Sequence, residues 1–208
     1  SAQSLALTLS QLQGDPTAIS LSLASHAAPP SAHADGSTEP AKVLRYAFKV
    51  AETGFDPAQI SDTYSRTITP HIFEALYTYD HLARPAKFRP LTAIGMPEVS
   101  ADYRTWTVRL RPGILFADDP AFGGRPRELV AQDYVYSIKR FADPANNAQG
   151  WVTYDDQAIV GLGELREQAI RSRKPFAYDT EIEGLRALDR YTLRITLGVP
   201  DPRFVYWM

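Results

Sequence analysis

The sequence contains no cysteine. This absence excludes a disulfide framework, a thiolate metal site and a cysteine nucleophile. An excess of either charge is also lacking, because 22 Lys and Arg residues stand against 24 Asp and Glu residues, for a net charge of -2. Nucleic-acid-binding proteins usually carry a clustered basic excess, so the charge balance argues against that class of partner. The longest uncharged stretch, residues 16–34, mixes Ser, His and Pro and cannot span a bilayer.

The first forty residues contain neither Lys nor Arg and are rich in Ala and Ser. A segment of this composition has little to pack with, so we expect residues 1–40 to form a leader or linker. Within it, Ala32-His33-Ala34 has the small-x-small form of a signal-peptidase site and follows a moderately apolar run. The positive region that opens a signal peptide is absent, so an ordinary Ala/Ser-rich leader is the alternative.

Motifs of catalysis are also missing. The sequence has no Gly-x-Ser-x-Gly elbow and no phosphate-binding P-loop. Gly161-Leu162-Gly163 begins like a dinucleotide fingerprint, but Arg166 stands where the third glycine belongs. His71 has one carboxylate at helical spacing, Glu74, and two ligands on one helix do not make a metal site. We therefore expect no enzyme activity, no metal and no cofactor.

From Lys42 onward, the hydrophobic pattern alternates between strand and helix periods, which predicts a mixed α/β (α+β) fold. Strands are predicted over 43–50, 105–111, 185–188 and 191–197, and helices over 62–76, 131–141 and 157–172. Asp62 is the expected N-cap of the first helix, and Pro70 is expected to kink or split it. Trp106, Val108 and Leu110 share one face of the second strand, and Pro112-Gly113 is expected to turn the chain into a hairpin with residues 114–116.

Three segments in order carry a family resemblance: Trp106-Thr107-Val108-Arg109-Leu110-Arg111-Pro112-Gly113-Ile114-Leu115-Phe116, then Ala131-Gln132-Asp133-Tyr134-Val135-Tyr136-Ser137-Ile138-Lys139-Arg140, then Ile182-Glu183-Gly184-Leu185-Arg186-Ala187-Leu188-Asp189-Arg190-Tyr191-Thr192-Leu193-Arg194-Ile195-Thr196-Leu197. Together with Phe55-Asp56-Pro57 and residues 72–76, they resemble the family-5 extracellular solute-binding proteins of bacterial ABC importers. The sequence departs from the family pattern at Val130, where a Thr usually caps the helix. A missing cap hydroxyl costs about 1 kcal/mol.

The resemblance implies the N-terminal part of a two-lobed periplasmic-binding-protein-like fold. It divides the chain into the start of lobe one over 41–72, an inserted subdomain over 73–180 and a truncated return to lobe one over 181–208. The aromatic end of the sequence fits this expectation of a fragment, because such apolar surface needs a cover. The second lobe is expected to lie outside the chain.

The resemblance further implies a periplasmic protein that captures short peptides or another small solute for an inner-membrane ABC permease. In this family the ligand's main chain pairs with protein backbone as an added strand. The matching ligand-binding stretch here is Ser61, Asp62, Thr63 and Tyr64, with helix capping as the competing role for Asp62. The alternative function is that of an isolated structural or interaction subdomain that binds no solute itself.

Overall fold

The computed structural model describes residues 18–22 and 43–208. The expected signal-peptidase site at 32–34 and most of the expected leader lie outside these residues. Inside the expected leader, residues 18–22 form a strand. The described chain divides into two compact units. The smaller unit comprises residues 18–22, 43–55 and 61–73, and the larger unit comprises residues 56–60 and 74–208.

The smaller unit contains one antiparallel strand pair and one short helix. The strands are β1 (Ala18–Ser22) and β2 (Val43–Ala47), and the helix is α1 (Thr63–Ile68). A 3₁₀ turn over Thr69–His71 follows the helix directly. The expected effect of Pro70 is confirmed, because Pro70 lies in this turn and cannot continue the α-helical hydrogen bonds. The prediction that the helix runs to residue 76 is wrong.

The larger unit is built on a hairpin, a four-stranded antiparallel sheet and three helices. The hairpin pairs β3 (Tyr77–Asp80) with β4 (Lys87–Pro90). The sheet has the order β5-β6-β8-β7 and comprises β5 (Glu98–Val99), β6 (Thr105–Arg109), β7 (Leu185–Ala187) and β8 (Thr192–Thr196). The helices are α2 (Ala131–Ala142), α3 (Trp151–Gln157) and α4 (Leu162–Ser172). The mixed α/β prediction is confirmed.

The core of the larger unit lies between one face of the sheet and the helices. Trp106 and Val108 stand opposite Ile195 and Leu193 in the β6–β8 register, and all four side chains are buried. The Trp106 ring packs against Phe204, with 5.7 Å between ring centroids. Alternation along β6 and β8 therefore gives one apolar face in each strand, as the sequence predicts.

The predicted hairpin after Arg111 is wrong. Strand β6 pairs with β5 and β8, whereas residues 114–116 pair with residues 127–129 through an isolated bridge between Leu115 and Glu128 and flanking backbone hydrogen bonds. The predicted helix over 157–172 also differs, because Ala158 and Gly161 adopt positive φ angles that separate α3 from α4.

Two local features explain how the family motifs fold. Val130 is the N-cap of α2 and makes no side-chain capping bond, as expected, but the Asp133 carboxylate accepts a hydrogen bond of 2.7 Å from the Val130 N–H. Gly184 lies directly against Val160, and a Cβ atom there would be 2.3 Å from the Val160 carbonyl oxygen. Only glycine allows this close approach, in which the Gly184 N–H, just before β7, donates a 2.9 Å hydrogen bond to the Val160 carbonyl in the connection between α3 and α4.

Candidate ligand-binding site

The predicted ligand-binding residues lie at the start of α1 in the smaller unit. Asp62 has extended backbone angles and caps the helix, because its carboxylate accepts a 2.8 Å hydrogen bond from the Ser65 N–H. The Thr53 hydroxyl donates a second bond to the same carboxylate at 2.5 Å, and the Thr53 N–H donates to the Ser65 hydroxyl at 3.0 Å. The predicted N-cap is therefore confirmed. Thr53, Asp62 and Ser65 together fix the entry into α1.

These hydrogen bonds determine the charge state of Asp62. Bonds from Ser65, through its hydroxyl and then its backbone N–H, are the largest cause that lowers the pKa of the Asp62 carboxyl, and the bond from Thr53 adds to them. The pKa consequently lies far below the usual range of an aspartate. Asp62 is ionised at neutral pH, and its carboxylate caps α1.

The backbone of the four residues differs from the added-strand arrangement that the family resemblance implies. Asp62 is extended, but Thr63 and Tyr64 already belong to the first turn of α1. The first N–H groups of a helix have no partner within the helix, so those of Thr63 and Tyr64 are suited to donate to a ligand. Ser61 and Thr63 are exposed, whereas the Tyr64 ring packs against Phe48 with 5.1 Å between centroids. The site would therefore offer one extended residue and two helical N–H donors.

In the larger unit, charged side chains mainly fasten loops. Arg140 on α2 holds the Asp56 carboxylate through two hydrogen bonds of 2.8 and 2.5 Å. Burial raises the pKa of Asp56, but the hydrogen bonds from Arg140 and from the Ala58 N–H outweigh it and lower the pKa overall. Gln59 adds a 3.2 Å bond to Asn146. Residues 56–60 are thus anchored to the end of α2.

Lys139 is a buried cation that the sequence does not predict. Its side chain is 3% exposed, and its ammonium group donates to the carbonyl oxygens of Tyr178 and Thr180, each at 2.7 Å. Burial lowers the pKa of Lys139, while Asp179 and Glu181 act in the opposite direction. Only the fold brings the loop carrying Tyr178 to α2, so no local pattern identifies this contact.

No metal site forms around these groups in the part of the chain that the structure describes. Within residues 18–22 and 43–208, no cluster of three His, Cys, Asp or Glu side chains is placed to hold a metal ion. An apolar cavity of about 100 Å³ lies beside α2, lined by residues that include Ile138, Tyr154 and Phe204. Ligand pockets usually measure about 300 to 1,000 Å³, so this cavity is too small for a peptide.

The larger unit thus packs helices on an antiparallel sheet, and its charged side chains hold loops in place. The sequence model described as "Bacterial extracellular solute-binding proteins, family 5 Middle" matches residues 67–208. The chain belongs to this family, which confirms the predicted resemblance. The match begins after the candidate site at 61–64.

Curated relatives and solved structures agree with this assignment. The chain is 32% identical to the periplasmic oligopeptide-binding protein OppA of Escherichia coli over 152 residues, which cover 72% of this chain and 24% of OppA. It is also 32% identical over 172 residues to the di/tripeptide-binding protein 2 of Pseudomonas aeruginosa, covering 79% of this chain and 28% of that protein. The chain therefore spans about a quarter of the length of the curated relatives it matches.

Among solved structures, the murein tripeptide binding protein MppA of Escherichia coli matches with a TM-score of 0.57 and 26% identity, over 76% of this chain and 27% of MppA. The OppA complex of Haemophilus influenzae with the peptide RPPGFSPFR matches with a TM-score of 0.55 and 28% identity, over 74% of this chain and 27% of that one. The predicted periplasmic-binding-protein-like fold is confirmed for the part of the chain that these structures cover.

Proposed function

We propose that this chain is part of an extracytoplasmic solute-binding component of an ABC importer that captures short peptides or a related small solute. The family match over 67–208 is the observation that carries the proposal. It is supported by relatives that are themselves named for binding oligopeptides, dipeptides, tripeptides and murein peptides. The protein acts as a binder and not as an enzyme in this proposal.

The proposed contact with the ligand runs through the backbone of Ser61, Asp62, Thr63 and Tyr64. Asp62 offers an extended residue, and the first turn of α1 offers N–H groups to a peptide carbonyl. The carboxylate of Asp62 is held by Thr53 and Ser65, so its role is to fix the backbone. Backbone contacts carry no side-chain information, which suits a binder that accepts many peptide sequences.

The proposed organisation keeps the start of lobe one at 41–72, the inserted subdomain at 73–180 and the return to lobe one at 181–208. The passage of the chain from the smaller to the larger unit between Phe73 and Glu74 supports the first boundary. Strand β8 pairs directly with β6, so residues on both sides of position 180 share one sheet. The boundary at residue 180 therefore marks a division along the sequence, and the residues on its two sides pack in one unit.

The proposed location is the periplasm, and the proposed partner is an inner-membrane ABC permease. The Escherichia coli relatives are named as periplasmic proteins, which supports the location. No helix in the part of the chain that the structure describes is long and apolar enough to cross a membrane. No role with nucleic acid is proposed, because the net charge is -2.

Calorimetric titration of this chain and of Escherichia coli OppA, with the same di- to pentapeptides, tests the proposal. A two-lobed binder surrounds its ligand and excludes water, whereas hydrogen bonds on an open face each yield only about 0.5 to 1.5 kcal/mol. We therefore expect this chain to bind in the millimolar range, near -4 kcal/mol, and OppA to bind far more tightly. Micromolar binding by the chain would contradict the proposed half-site, because a complete site would then lie within these residues.

A single-residue variant tests the site itself. Thr63 is the first residue of α1, where proline is well tolerated in a helix and removes only the N–H group. Thr63→Pro should weaken peptide binding by about tenfold if that N–H donates to the ligand, while Thr63→Ala should leave the affinity unchanged. Equal affinities for the two variants would exclude the Thr63 N–H from the site.

The competing function, an interaction subdomain without a solute, makes a different prediction. A binder's melting temperature rises with ligand concentration, whereas that of a non-binder does not. If no peptide in the millimolar range raises the melting temperature of this chain, the competing function is the better account.

A further inference from the structure

The four-stranded sheet has a second face, which points away from the helices and is polar throughout. We call it the outer face. Its side chains alternate along the strands with the apolar core residues, and Thr192 among them is itself buried. They are Glu98, Thr105, Thr107, Arg109, Arg186, Thr192, Arg194 and Thr196. Three arginines therefore share this face with one glutamate from the strands.

Two of these arginines are placed unfavourably for an isolated sheet. Arg186 on β7 stands directly opposite Arg194 on β8 in the antiparallel register. Like charges directly opposite each other destabilise a strand pair. Within residues 18–22 and 43–208, the buried Nε of Arg194 has no hydrogen-bond acceptor. A buried donor of a charged group that is left unpaired is costly, so this position calls for an acceptor.

The acidic side chains nearby do not supply an acceptor for the Nε of Arg194. Glu98 bonds to Arg109 at 3.2 Å, and Asp189 also interacts electrostatically with Arg109. Glu181 approaches Arg186 only at 3.9 Å, with its side chain 90% exposed. Such an exposed pair contributes little to stability and is easily displaced. Arg186 and Arg194 thus carry two positive charges, against which the exposed carboxylate of Glu181 supplies one negative charge.

We propose that Arg186 and Arg194 together bind an oxyanion, a carboxylate or phosphate group, on the outer face of the sheet. Opposite residues of an antiparallel pair have Cβ atoms about 4.5 to 5.5 Å apart, so two guanidinium groups can reach one anion. The planar fork of arginine matches the geometry of carboxylate and phosphate oxygens. Thr107 stands beside Arg194 in the register of β6 and offers a hydroxyl donor to the same group.

NMR spectroscopy of the Arg side chains tests this site. The signal of the Arg194 Nε–H is followed in the ¹⁵N-labelled chain during titration with inorganic phosphate or with a triglutamate peptide, chloride keeping the ionic strength constant. We expect a saturable shift of this signal, with at least about tenfold weaker binding in Arg186→Gln. Arg186 is 47% exposed, so this variant keeps the fold. Arg171→Gln, on the exposed side of α4, is the matched control and should leave the binding unchanged.

The two titrants distinguish the source of the oxyanion. A response to phosphate alone assigns a phosphate group, a response to the peptide alone assigns a carboxylate, and either one supports the site. The proposal is overturned if the Arg194 signal does not shift saturably with either titrant up to about 50 mM, or if Arg186→Gln binds as tightly as the unchanged chain. Peptide capture at residues 61–64 is independent of this outcome, because the outer face belongs to the larger unit.

Discussion

The two units of the chain differ in how they bury apolar surface. The larger unit holds a continuous core that joins the sheet, its helices and the 3₁₀ turn at Phe204–Trp207. In the smaller unit, Ser65, Ile68 and Thr69 are the buried residues among those whose burial is described. The same unit exposes several large apolar side chains: Val43, Tyr46, Val50, Phe55, Ile72 and Phe73.

The difference in burial accompanies a proposed difference in role between the two units. The family match over 67–208 covers nearly all of the larger unit, whose charged groups hold its own loops in place. The candidate ligand contacts lie in the smaller unit, where backbone groups at the start of α1 are available. We therefore propose that the larger unit is a scaffold and that the smaller unit carries the ligand contacts, and the predictions below test that division.

Removing the largest core side chain should have the largest effect. Trp106 is 3% exposed, packs on Phe204 and donates from Nε1 to the Tyr103 carbonyl at 3.2 Å. Trp106→Ala should lower the free energy of unfolding by about 3 to 5 kcal/mol, because it leaves a cavity in the core. Urea unfolding measures it. A loss below about 1 kcal/mol would contradict the core assignment. Tyr46→Ala, at a 55% exposed position of the smaller unit, is the comparison and should cost less than about 1 kcal/mol.

Replacing glycine by alanine should have opposite effects on stability at two positions of the larger unit. Gly184→Ala forces a Cβ against the Val160 backbone and should lower the free energy of unfolding by about 1 to 3 kcal/mol. Gly163 in α4 has no atom within 4 Å of such a Cβ, so Gly163→Ala should stabilise by up to about 1 kcal/mol. Urea unfolding of both variants checks the pair, and equal effects would mean that the approach of Gly184 to Val160 is not tight.

Lowering the pH should remove the contribution that the ionised Glu128 carboxylate makes to the stability of the larger unit. Hydrogen bonds from Arg190, then from the Gly113 N–H and the Tyr191 hydroxyl, lower the pKa of Glu128 to about 2. A lowered folded-state pKa stabilises the fold above the unfolded value, and this stabilisation is lost as the pH falls toward 2. The difference in melting temperature between the unchanged chain and Glu128→Gln should therefore be largest above about pH 5 and shrink below it. A constant difference from pH 7 to pH 2.5 would contradict the assigned pKa.

The smallest effect is expected in the smaller unit. Asp62→Ala removes the N-cap of α1, so the Ser65 N–H loses its acceptor and should exchange its hydrogen faster. Asp62→Asn retains a capping oxygen and is the control. Because α1 is short, the exchange of core amides such as that of Leu193 should not change. Hydrogen exchange followed by NMR measures both, and a slow Ser65 amide in Asp62→Ala would contradict the capping role.

Short-range patterns in the sequence predict much of this fold. Alternation in residues 105–111 and 191–197 identifies β6 and β8 with the correct buried faces, and Pro70 marks the end of α1. The family is recognisable because its motifs are local. The helical spacing of Tyr134, Ile138 and Phe141 predicts that these residues form the buried side of α2, but they are only partly buried. The buried residues of α2 are instead Ala131, Val135, Lys139 and Ala142.

Long-range contacts are what the sequence does not predict. Strand β6 pairs with β8 across more than eighty residues, so a turn signal at Pro112-Gly113 wrongly suggests a local hairpin. Lys139 is satisfied by two carbonyl groups about forty residues away, which no periodicity reveals. For the candidate site, the sequence predicts both the cap at Asp62 and a helix that contains Thr63 and Tyr64. It does not predict the hydrogen bond from the Thr53 hydroxyl to Asp62, because no strand or helix period relates these two residues.

Photo-crosslinking tests most directly the claim that the smaller unit contacts the peptide, whereas the larger unit serves as a scaffold. A tripeptide carrying a photoreactive side chain is irradiated with this chain at about 10 mM, which would occupy most of a millimolar site. Mass spectrometry then maps the crosslinks, with an excess of unlabelled tripeptide as the competitor. The account predicts competed crosslinks at residues 53–55 and 61–64 of the smaller unit, reduced in Thr63→Pro and retained in Thr63→Ala. Competed crosslinks confined to residues 56–60 and 74–208 of the larger unit, or none at 61–64, would contradict it.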